Sequence, residues 1–188
     1  MLDAAETLFL EQGFERVSLA AVVRCSGGSL ATLYSLFGSK QGLLRAVVSR
    51  AIQANFALFR QPMPVDGSAA DQLTCIARRF HDHLMQPDTT KLTRIIIAQT
   101  LDDPEFGRLF RADVNREIDE IGALFRRWTA EGRARIDEPE EAANLFHAII
   151  TSDVQLRALL GASPEDDEAA ERQMLWRLAH FIDHFRIS

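Results

Sequence analysis

At 188 residues and 21.1 kDa the chain can enclose one sizeable core, or a small domain joined to a larger one. Its 47% apolar and 26% charged residues, at a mean hydropathy of −0.08, exclude a disordered or fibrous protein. The net charge of −6 excludes a surface coated with nucleic acid but leaves room for a local basic patch.

Apolar residues recur with helical spacing throughout and nowhere alternate at period two, so an all-α fold is expected. Leu2 to Gln12 forms the first helix, with Leu2, Ala5, Leu8 and Phe9 on one face and Gly13 as terminator. Ser18 caps a short helix over Leu19 to Cys25. Ser26-Gly27-Gly28 makes a turn, Ser29 caps a second short helix over Leu30 to Phe37, and Gly38 ends it. Ser39 caps the next helix, which continues toward Phe59 until Pro62 and Pro64 stop it, so Gln61 to Gly67 reads as a linker.

Ser68 and Asp71 predict a capping box for a helix to about Leu84, and Pro87-Asp88 opens another that ends near Asp103-Pro104. A short helical turn over Glu105 to Phe110 is expected to precede a helix over Asp113 to Glu131, closed by Gly132. Pro139 begins a long helix ending at Gly161, and Ser163-Pro164 begins the last one. Cys25 and Cys75 fit neither a disulfide framework nor metal-ligand spacing and are expected to be small packed thiols. No apolar run approaches the ~20 residues of a bilayer span and no leader segment opens the chain, so a cytoplasmic location without membrane contact is expected.

Between Arg16 and Val65 there is no Asp or Glu, while Arg16, Arg24, Lys40, Arg45, Arg50 and Arg60 fall in or at the edge of that window. This basic island coincides with the two short helices. Each is too short to be stable alone and must lean on its neighbours, leaving one helix exposed, as in a helix-turn-helix whose second helix enters the major groove. Ser29, Thr32 and Tyr34 then offer hydroxyls to phosphates and Lys40 offers charge, while Leu33 and Phe37 face the core. Leu30, Ala31 and Ser35 remain for base edges, two of them limited to apolar contacts.

The run Leu2-Asp-Ala-Ala-Glu-Thr-Leu-Phe, then Gly13-Phe14, Val17-Ser18-Leu19, and Thr32-Leu33-Tyr34-Ser35-Leu36-Phe37-Gly38-Ser39-Lys40 resembles the N-terminal domain of the TetR family of transcriptional regulators. The resemblance implies a three-helix helix-turn-helix DNA-binding domain over 1–48 and a larger helical effector-binding and dimerisation domain over 49–188. It implies a homodimer on operator DNA, with DNA contacts at Ser18, Ser29, Leu30, Thr32, Tyr34, Ser35 and Lys40. Leu30 stands where the family usually has a polar residue, so the reading surface is poor in hydrogen-bond donors.

From residue 51 onward acids outnumber bases, which is hostile to DNA. Most aromatic residues there are expected in the core, and a cavity between bundle helices would add a few polar groups. His81, Gln99, Phe125, Trp128, Asn144, His147 and Asp153 are the candidates for contacting a small-molecule effector. The last two long helices carry apolar residues on more than one face, among them Leu145, Ile149 and Leu156, then Leu178, Phe181 and Ile182. That surplus predicts an isologous dimer interface.

No glycine-rich phosphate loop, nucleophile elbow or HExxH motif occurs, so no enzymatic activity and no cofactor are expected. His180 with His184, and His81 with His83, lack a second ligand pair, so no metal site is expected. Two readings stand: a ligand-responsive repressor released from its operator by a small molecule, or a helical ligand-binding or interaction protein that has lost specific DNA recognition.

Overall fold

A computed structural model describes residues 1–57, 61, 67–160 and 164–188, without the side chains of 117, 152–155, 157–158 and 164–167. The expected linker of 61–67 and the Ser163 cap fall largely outside these residues. The described chain is helical and contains no strand. The helices are α1 (Leu2–Gln12), α2 (Leu19–Ser26), α3 (Leu30–Phe37), α4 (Lys40–Ala57), α5 (Ala69–Leu84), α6 (Pro87–Asp102), α7 (Pro104–Ala130), α8 (Pro139–Leu160) and α9 (Pro164–His184).

Two compact units emerge from the packing. Unit one comprises Met1–Ala54 with Lys91–Asp113, and unit two comprises Asn55–Thr90 with Val114–Ser188. In unit one, α1 packs on α2 and α2 on α3, around Phe9, Phe14, Val22, Leu33 and Leu43. The rings of Phe9 and Phe14 meet edge to face at 5.3 Å. Leu33 is fully buried and pins α3 to this core, so truncating it to Ala is expected to cost about 2–5 kcal/mol.

Caps set the local boundaries. Ser18 Oγ accepts from the Ala21 N–H at 3.1 Å, Ser29 Oγ from Thr32 N–H at 3.1 Å, and Ser39 Oγ from Gly42 N–H at 3.0 Å. Gly27 ends α2 in the left-handed region at φ 72°, ψ 20°, a conformation that costs a residue with a Cβ. The chain then bends by 110° between α2 and α3, within the range of helix-turn-helix units.

In unit two, α8 packs on α9 and α5, and α5 also packs on α9. The Ser68–Asp71 capping box forms as expected. The chain end is tied in by backbone bonds from Ala69 N–H to Ser188 carbonyl, from Ser188 N–H to Arg133 carbonyl and from Arg135 N–H to Phe185 carbonyl. Phe125, Phe146, Phe181 and Trp128 form the aromatic centre, with ring separations of 5.8–6.1 Å.

Three expectations are corrected. Residues 104–130 form one helix rather than a short turn and a separate helix. Asp103 caps its start by accepting from the Glu105 and Phe106 N–H groups, and buried Gly107 lets it pass close to Thr100, whose Cγ2 would lie 2.6 Å from an added Cβ. Cys25 is exposed and Cys75 only partly buried; Cys25 lies in the last turn of α2, beside exposed Arg24 and beyond buried Val22. Phe37, expected in the core, is half-buried at the end of α3.

Candidate nucleic-acid interface

The exposed side of α3 carries Leu30, Ala31, Thr32, Tyr34, Ser35 and Leu36, with Tyr34 54% and Leu36 64% exposed. Ser18 and Ser29 are exposed as well. Besides its capping bond, Ser29 Oγ lies 2.9 Å from Thr32 Oγ1. One O–H serves that contact, so this hydroxyl pair retains one donor for an incoming acceptor. Ser18 Oγ acts as acceptor in its cap, which leaves its O–H to donate.

Lys40, half-buried at the first turn of α4, is held on two sides. Its Nζ donates to the Glu15 carbonyl at 3.0 Å and sits 4.4 Å from the centroid of the Phe14 ring. An ammonium has three donors, so two remain for an anion.

The basic island is smaller than its sequence suggests. Arg50 pairs with Asp3 and Glu6 of α1, and Arg45 pairs with Asp103 at 3.2 Å. Both arginines meet acids from outside the acid-free window. Arg16, Arg24 and Lys40 have no carboxylate partner among the described residues. This trio, flanking an uncharged α3, is the electrostatic footprint available to a polyanion.

The effector candidates are not gathered into one place. Gln99 belongs to unit one, where its Nε2 donates to Glu15 Oε1 at 3.1 Å. The others fall in unit two. Phe125 and Trp128 are fully buried in the aromatic centre, and Asn144 is exposed, its Nδ2 donating to the Glu140 carbonyl. His147 is partly buried, and desolvation pushes its pKa below the ordinary 6.5. The Asp153 side chain lies outside the described residues.

His81 is the exception with an unmet need. It is 5% exposed, and neither ring nitrogen has a hydrogen-bond partner among the described residues. Asp82 Oδ1 at 3.6 Å from Nδ1 is too distant for one. Trp128 Nε1 is also buried without a hydrogen-bond partner among the described residues.

Three grooves in unit two run along α8 and α9. One of 480 Å³ is lined by Leu145, Ile149 and His180, one of 540 Å³ by Glu138, Glu141 and His184, and one of 380 Å³ by Gln173 and Trp176. Nearby, Leu145 is 50%, Leu156 56%, Leu160 79% and Trp176 64% exposed. These exposed side chains include Leu145 and Leu156, part of the apolar surplus expected on the two helices, and also Trp176 and Leu160, which were not among the residues expected there. The available signal was the arginine on each side of the Trp176 segment, with Trp176 next to Arg177 and four residues after Arg172.

No single described helix is long and apolar enough to cross a membrane. No group of three or more metal-ligating side chains occurs among the described residues.

Residues 1–47 match the family model of bacterial regulatory proteins of the tetR family, and residues 71–181 match that of the AefR-like transcriptional repressor C-terminal domain. The HTH-type transcriptional repressor ComR of Escherichia coli (strain K12) is 39% identical over 84 residues, covering 42% of this chain and 40% of ComR. The HTH-type transcriptional regulator BetI of Cronobacter sakazakii (strain ATCC BAA-894) is 25% identical over 90% of this chain and 83% of its own length. The solved structure of the flavonoid-responsive regulator FrrA superposes with a TM-score of 0.71 at 28% identity, covering 97% of this chain and 93% of FrrA.

Proposed function

Because the chain belongs to the TetR family of bacterial transcriptional regulators, we propose that it is a repressor whose α3 enters the major groove of an operator and leaves it when unit two takes up a small organic molecule. Residues 1–48 serve as the DNA-binding part and 49–188 as the effector-binding and dimerisation part. The observation that carries this reading is the exposed face of α3, free of carboxylates, next to a Lys40 ammonium with two donors to spare. Thr32, Tyr34, Ser29 and Ser18 bond phosphates, while Leu30 and Ser35 meet base edges.

A homodimer through α8 and α9 presents two copies of α3 to a two-fold operator. Leu145, Leu156 and Trp176, exposed in the single chain, supply its apolar centre. The effector binds in the interior of unit two, where His81 offers an unpaired imidazole among apolar side chains. FrrA, by its name a flavonoid-responsive regulator, supports an aromatic or similarly apolar organic effector. By linkage, whatever factor the effector takes from operator affinity, the operator takes from effector affinity.

Exposed Leu30 and Leu36 favour a second reading, in which specific recognition of DNA has been lost. Fluorescence anisotropy on a duplex selected by the protein from a random-sequence pool separates the two. The repressor reading expects log affinity to fall linearly with log salt, with a slope reduced by about one unit in Lys40→Ala. Failure to select any duplex, or salt-independent binding, leaves the second reading standing.

A further inference from the structure

The Lys40 ammonium is gripped at three removes from α6. Its Nζ is bonded to the Glu15 carbonyl and stacked on the Phe14 ring, and the Glu15 carboxylate accepts from Gln99 of α6. Gln99 is only 8% exposed, so its amide is committed inside the protein rather than to water. Phe14, Glu15 and Gln99 also border one groove of 320 Å³ in unit one. An exposed lysine samples many rotamers, and fixing it before binding removes that entropy cost from association.

We propose that Phe14, Glu15 and Gln99 are positioning residues for Lys40, and that the Gln99–Glu15 bond gives α6 a direct hold on one phosphate contact. The proposal rests on Lys40 being a phosphate contact. With the Gln99 bond made, Glu15 is fixed, its carbonyl holds the Lys40 ammonium over the Phe14 ring, and the donor capacity not used there is left for a phosphate. When α6 shifts and the bond breaks, the 14–15 turn loosens and Lys40 returns to its full rotamer range. The operator contact then weakens without any change in α3 itself.

The test is a double-mutant cycle on the full chain, read by anisotropy on the selected duplex. Gln99→Leu keeps the buried volume and removes the amide, and Phe14→Leu keeps the apolar contact and removes the ring face. Each is expected to lower operator affinity about threefold to tenfold. Neither is expected to lower it further in a Lys40→Ala background. Equal losses with Lys or Ala at position 40, or no loss at all with Gln99→Leu, overturn the proposal while leaving the phosphate contact intact. A Lys40→Ala protein with unchanged affinity and salt slope overturns both. Phe14 is part of the core, so thermal melts accompany its variant, and Gln99→Leu decides the matter if Phe14→Leu unfolds.

Discussion

Arg45 and Asp103, 58 residues apart in the chain, meet at 3.2 Å within unit one and join α4 to the start of α7. The Phe106 N–H lowers the Asp103 pKa most, with Arg45 and the Glu105 N–H adding to it against some desolvation. A carboxyl depressed in the folded state contributes stability above its unfolded value, here an ordinary 3.8, and loses it as pH falls through the folded value. Asp103→Asn is therefore expected to lower the urea midpoint at neutral pH, with the gap to wild type closing below about pH 4. A gap that persists unchanged at acid pH would show that the carboxylate charge is irrelevant.

Ser29 has two roles that substitution can separate. Ser29→Ala removes the α3 cap and is expected to cost about 1 kcal/mol, read as faster hydrogen exchange at the α3 amides with unit two unaffected. Ser29→Asp keeps the cap but sets a negative charge beside phosphates. It is expected to restore slow exchange yet abolish operator binding; tight binding by Ser29→Asp would remove Ser29 from the interface.

Burial pushes both His147 and His83 below the ordinary 6.5, so the folded state favours their neutral forms. The unfolded chain takes up these protons first. Stability is thus fully present above about pH 6.5 and declines as pH falls below it. Chemical denaturation from pH 8 to pH 5 is expected to show this decline, and His83→Asn with His147→Asn to flatten it. A decline of the same size in the double variant would place its origin elsewhere.

Trp176→Glu puts a charge on the exposed apolar strip of α8 and α9 and is expected to yield a monomer in sedimentation, with helix content unchanged. Leu145→Glu is expected to do the same from the other helix. Because Trp128 is sealed in the core and Trp176 is 64% exposed, dilution of the wild type should shift tryptophan emission to the red as Trp176 becomes wet. Dimers that persist in both variants would move the interface off these helices.

Helix starts at Leu19, Leu30, Lys40 and Ala69 were legible because a serine side chain and a backbone N–H three residues later decide them, and both lie in one short stretch. The α2–α3 bend was legible for the same reason, through Gly27. The family resemblance of residues 2–48 also rests on contiguous motifs, and the tetR-family match over 1–47 agrees with it.

What pairs at long range was not legible. Arg45 and Arg50 looked like part of a cationic surface, yet Asp103, Asp3 and Glu6 neutralise them from far along the chain. Gln99, read as a candidate ligand contact, donates to Glu15, 84 residues away, a pairing that no local pattern announces. Trp176 looked like core and is exposed, because helical periodicity counts apolar residues on a helix without saying which face its neighbours will cover. The chain by itself thus determined most of its helix boundaries, their serine caps and its helix-turn-helix, all products of interactions within a few residues, but not the continuity of α7. Only the tertiary structure decided which charges remain for DNA and which apolar faces remain bare, because both depend on partners that the sequence keeps dozens of residues apart.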